Sequence, residues 1–112
     1  MKRSEINHAI SNAKILIDEY KWALPKWAYW SKSDYDAQPA VAEYLRTHQM
    51  GWDVTDFGRG NFNKEGIILF CVRNGIQNID NEKPYAEKLL FMQEDQVIPF
   101  HSHKIKLEDI IN

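Results

Sequence analysis

Gly66-Ile67-Ile68-Leu69-Phe70-Cys71-Val72-Arg73, closed by Asn74-Gly75, marks the change from a helical to a β-structured chain. A short apolar run bounded by glycine turn signals reads as a buried strand. Two further strands are predicted after it. Tyr85–Met92 follows a polar loop, Gln93-Glu94-Asp95 makes a tight turn, and Gln96–His103 comes next. A weaker strand lies before it, around Trp52–Phe57.

Upstream, from Met1 to about Met50, the spacing is helical. Ser4 suits an N-cap and Glu5 the first turn, where the helix dipole favours a carboxylate. Ile6, Ala9, Ile10, Ala13, Leu16, Ile17 and Tyr20 then fall at intervals of three and four, one apolar stripe, and Pro25 stops the pattern. A second helix is predicted from Pro39, which tolerates the first helical turn. Val41, Tyr44, Leu45 and His48 form its stripe, with Gly51 as its stop. Between the helices, Trp22 to Trp30 is unusually aromatic. Its rings either seal a small core or offer one wall, Trp27, to a sugar.

The predicted architecture is therefore α+β, with N-terminal helices packed on an antiparallel sheet. The 112 residues form a single unit, 1–112, with a helical part over 1–50 and a β part over 51–112. At 44% hydrophobic and 12% aromatic residues the chain has material for a core and is not of the disordered class. Fourteen basic against 16 acidic side chains give a net charge of −2, which argues against nucleic acid as a partner. A lone cysteine, Cys71, excludes an internal disulfide and points to the cytoplasm, where a buried, inert thiol is expected. The longest apolar run, Ile67–Val72, is far short of the ~20 residues of a membrane span, so a soluble protein is expected.

Chemistry concentrates in Pro99-Phe100-His101-Ser102-His103-Lys104-Ile105-Lys106-Leu107-Glu108. On a strand, His101 and His103 share one face, so their imidazoles can converge on one metal ion. Glu108 can return from the next turn with a carboxylate oxygen. Two imidazoles and a carboxylate suit Mn, Fe, Co, Ni or Zn better than Mg or Ca. The plainer reading is two surface histidines and a solvated glutamate. His8 and His48, in the helical part, are expected to be structural or exposed.

The spacing His-x-His-x4-Glu is similar to the first metal-binding motif of the cupin superfamily. More of the chain resembles the D-lyxose isomerase family. The matching stretches are Gly51-Trp-Asp-Val-Thr-Asp-Phe-Gly58, Leu69–Gly75, Tyr85-Ala-Glu-Lys88, and Pro99 to Asn112, together with Met1–Asn7. The resemblance implies a cupin-type β-barrel or jelly roll, here incomplete, and a divalent ion, typically Mn. It implies an aldose–ketose isomerase acting on D-lyxose and D-xylulose, with D-mannose and D-fructose as a related pair. The family holds its metal with three histidines and a glutamate. His101, His103 and Glu108 match three of them, and the fourth would lie beyond Asn112. Lys106 matches a family lysine at the metal, and Lys88 is a candidate for a sugar hydroxyl. A homodimer is the assembly the resemblance suggests.

Isomerising a 2-hydroxy aldehyde moves a proton between C2 and C1, most simply through a cis-enediol. No proton-transfer carboxylate stands out, since Glu87 faces away from Lys88 on a regular strand. A cupin jelly roll has about eight strands, so the expectation is an N-terminal portion with little activity alone. A shortened gene, an incomplete reading frame, or a half that joins another chain are all compatible with it. The alternative function is a non-catalytic cupin-like module that binds a metal or a sugar.

Overall fold

The structure is a computed structural model that describes residues 1–98. Among these, the order is α1 (Arg3–Glu19), a 3₁₀ turn (Lys26–Tyr29), α2 (Lys32–Ala37), α3 (Pro39–Thr47), β1 (Gly51–Thr55), α4 (Phe62–Glu65), β2 (Ile67–Asn74) and β3 (Ala86–Phe91). The α+β class holds. The three strands form an open antiparallel sheet in the order β1-β2-β3, without closure into a barrel among the described residues.

Helix α1 buries Ala9, Ala13 and Ile17, one row at four-residue spacing. Its ends differ from the sequence expectation. The N-cap is Lys2, whose carbonyl accepts from Ile6 N–H, so Ser4 lies inside the first turn. At the other end, Lys21 takes φ +55°, with Lys21 N–H bonding Asp18 and Trp22 N–H bonding Ile17. That is a Schellman closure, and it ends the helix at Glu19, well before Pro25. Tyr20, expected on the buried stripe, becomes the C-cap and is exposed.

The same device ends α3. Gln49 takes φ +52°, Gln49 N–H bonds Arg46 and Met50 N–H bonds Leu45. The stop is thus Gln49 rather than Gly51, which begins β1. Ala42 and Leu45 form the buried side of α3, whereas Val41 and Tyr44 are exposed. Helix α2 is absent from the sequence expectation. A capping box opens it, with Ser31 N–H donating to Asp34 Oδ2 at 2.8 Å and Ser31 Oγ accepting from Asp34 N–H. Pro39 separates it from α3, because the residue before proline is pushed out of helical geometry.

Strand alternation sorts the sheet into two faces. Trp52, Val54, Ile68 and Phe91 pack with Ala9 and Ala13 of α1. Phe70, fully buried, meets Trp27 at 5.0 Å between ring centroids and Trp52 at 4.9 Å. Trp52 Nε1 donates to Ala28 O at 2.8 Å, so its polar edge is satisfied where its half-buried ring meets the core. The other face carries Gly51, Asp53 and Thr55 of β1, Leu69 and Cys71 of β2, and Lys88 and Leu90 of β3.

The register slips between Cys71 and Arg73, where Val72 is the extra residue of a bulge. Cys71 pairs with Lys88 and Arg73 with Glu87. Gly75 ends β2, where any side chain would run into the backbone of Lys83. The predicted strand Gln96–His103 does not begin at Gln96. Gln96 is buried and its side chain joins Phe62 O and Gln93 N–H, each at 2.7 Å. Val97 N–H bonds Lys64 O, so the segment is tied to α4 rather than to a strand. The remainder of that prediction lies outside the described residues. Among the described residues no helix is long and apolar enough to cross a membrane.

Candidate functional site

His101, His103, Lys106 and Glu108 lie outside the described residues. Within them, no group of three His, Cys, Asp or Glu side chains is placed to hold a metal ion. The two remaining candidates, Lys88 and Trp27, sit on opposite faces of the sheet. Trp27 stacks on Phe70 on the face covered by α1, whereas Lys88 is exposed on the open face. They do not share a cavity. Glu87, beside Lys88, pairs with Arg73 Nη1 at 2.6 Å through its Oε2.

Lys88 does line a cavity of about 370 Å³ between the C-terminal end of α3 and the open face. Arg46, Gln49, Gly51, Asp53, Cys71 and Asn74 also line it. The register builds this wall. Gly51, Cys71 and Lys88 form one cross-strand row, and Asp53, Leu69 and Leu90 form another on the same face. Gly51 has φ +103°, the left-handed region that favours glycine, at the junction of α3 and β1.

Two features fix the cavity's rim. Asn74 Nδ2 donates to His48 O at 2.8 Å, which ties the end of β2 to the end of α3. His48 is buried, as a structural histidine. Its Nδ1 lies 2.9 Å from Tyr44 O and its Nε2 2.8 Å from Glu82 Oε1. His8, by contrast, is exposed. Burial pushes the Cys71 thiol above its usual range, and the Lys88 ammonium pulls partly against that rise. A thiol so placed is a poor nucleophile at neutral pH.

The wall therefore presents an ammonium, a guanidinium, a carboxylate and two amides, and its lining is more polar than apolar. Such a set can donate to and accept from hydroxyl groups of a small polar molecule. Asp53 and Asn74 were not among the sequence candidates. The signal for Asp53 was available: in a strand around Trp52–Phe57 it alternates with Trp52, which is core-like, so it must face the other way. Asn74 was read only as a turn residue.

A profile of the D-lyxose isomerase family matches residues 1–112. The chain is 39% identical over 114 residues to a D-lyxose/D-mannose isomerase of Escherichia coli O157:H7. It is 36% identical over 116 residues to one of Serratia proteamaculans. Each match covers 100% of this chain and 50% of the relative, so the chain spans about half the length of the curated relatives it matches. With the family profile matched from its first residue to its last, this chain belongs to the D-lyxose isomerase family.

Proposed function

We propose that the chain supplies the N-terminal half of a metal-assisted aldose–ketose isomerase that interconverts D-lyxose and D-xylulose, with D-mannose and D-fructose as a related pair. The observation that carries this reading is the family match along all of 1–112, together with two relatives named as D-lyxose/D-mannose isomerases. The donor set fits a divalent ion. His101, His103 and Glu108 offer two imidazole nitrogens and a carboxylate, which suits Mn or its neighbours. These three residues would hold the ion, and a fourth ligand would come from outside the chain.

When bound, the ion supplies Lewis acidity toward the negative charge that builds on O1 and O2. The chain's own residues have separate tasks. The Lys106 ammonium offers a hydrogen bond and a positive charge to a developing enediolate oxygen. Lys88, on the open face of the sheet, holds a sugar hydroxyl. Glu87 is engaged with Arg73 and does not take the C2 proton. That base, like the fourth ligand, belongs to the part of the relatives that this chain does not span.

Titrating Mn²⁺ into the purified chain by calorimetry tests the metal site. The wild type is expected to bind one ion, and His101→Ala to bind it at least about tenfold more weakly, the scale at which even outer-sphere changes are felt. Equal affinity in the two proteins would remove the metal site.

A further inference from the structure

The cavity against the open face contains a carboxylate to which nothing so far gives a task. Asp53 occupies the middle of a five-residue strand. Aspartate is depleted in strands, where it neither packs nor pairs well. Its register neighbour Leu69 is apolar and gives it no partner. It makes no ion pair among the described residues, although Lys88 stands on the same face two strands away. Asp53 is also the single carboxylate among the described residues lining that cavity. Trp52 and Val54, on either side of it, are held in the core. The position of Asp53, exposed on the open face, is thus fixed by two half-buried neighbours packed against α1.

We propose that Asp53 is a substrate-binding residue that accepts hydrogen bonds from sugar hydroxyls, with Lys88, Arg46 and Asn74 as donors lining the same cavity. The proposal deepens the isomerase reading and rests on it for the class of ligand. An ionised carboxylate accepts from vicinal hydroxyls with two oxygens, and such charge-assisted bonds are about twice as strong as neutral ones. A volume of about 370 Å³ admits a monosaccharide with some of its water.

Binding to the 112-residue chain, followed by saturation-transfer NMR, tests this without metal or turnover. D-lyxose is expected to bind the wild type and Lys14→Met, a surface change beside Tyr29, with equal affinity. Asp53→Asn is expected to weaken D-lyxose binding about tenfold, as for a lost charged hydrogen bond. Near-UV circular dichroism confirms the fold of each variant. No D-lyxose binding by the wild type, or unchanged affinity in a folded Asp53→Asn protein, overturns the subsite. Loss of binding on Asp53→Asn, beside a full-length chimera that shows no isomerisation, would uphold the subsite and sink the isomerase reading. Unchanged binding beside an active chimera would do the reverse.

Discussion

His48 and Glu82, 34 residues apart, meet at 2.8 Å between Nε2 and Oε1, and so tie the end of α3 to the long connection between β2 and β3. Both side chains are largely shielded, at 8% and 19% exposure. The ring is also stacked on Tyr44 at 3.9 Å between centroids. Glu82→Ala leaves a buried ring nitrogen without its partner and is expected to cost about 1–3 kcal/mol. Urea denaturation of the variant against wild type measures this. A loss below a few tenths of a kcal/mol would mean that the pair contributes nothing.

Phe70 is the side chain on which the two layers depend, fully buried between Trp27 and Trp52. Phe70→Ala is expected to cost about 3–5 kcal/mol. For a domain whose total stability is about 5–15 kcal/mol, that is a large share. The variant should lose near-UV dichroism and melt at a much lower temperature.

Cys71 offers a readout of the open face. Burial raises its thiol pKa and Lys88 opposes that rise. A raised folded-state value makes this thiol a stabilising neutral group at low pH, and the contribution is lost as pH rises through the folded value. Labelling with a thiol reagent should therefore be slow at neutral pH and accelerate well into the alkaline range. Lys88→Met removes the opposing charge, so the midpoint of the labelling profile is expected to move still higher. A downward shift would place the ammonium elsewhere.

Lys21 and Gln49 hold left-handed backbone at the ends of α1 and α3. Any residue with a Cβ pays roughly 1 kcal/mol there, which glycine avoids. Lys21→Gly and Gln49→Gly are each expected to raise stability by about 0.5–1 kcal/mol, read as a rise in melting temperature.

These two positions also mark where the sequence was hard to read. Pro25 and Gly51 are the stops the sequence predicts, because proline and glycine are the residues with a visible local signature. The Schellman closures instead use lysine and glutamine, which carry none. Helix α2 escaped because six residues hold less than two turns of periodicity, though Ser31 and Asp34 spelled a capping box. What was legible had strong local causes: the α1 stripe through Ala9, Ala13 and Ile17, Pro39 at the start of α3, and the apolar run that became β2. The opposite facing of Glu87 and Lys88 follows from alternation. The packing of Trp27 on Phe70 does not, since it joins residues 43 positions apart in the chain.

The most direct test joins this chain to the half of the Escherichia coli relative that it does not match, and measures Mn²⁺-dependent conversion of D-lyxose to D-xylulose. Turnover by the chimera, abolished by His101→Ala and absent from the 112-residue chain alone, is the predicted result. A folded, Mn²⁺-loaded chimera without turnover, or undiminished turnover in its His101→Ala variant, would contradict the assignment of this chain as half of a metal-assisted sugar isomerase.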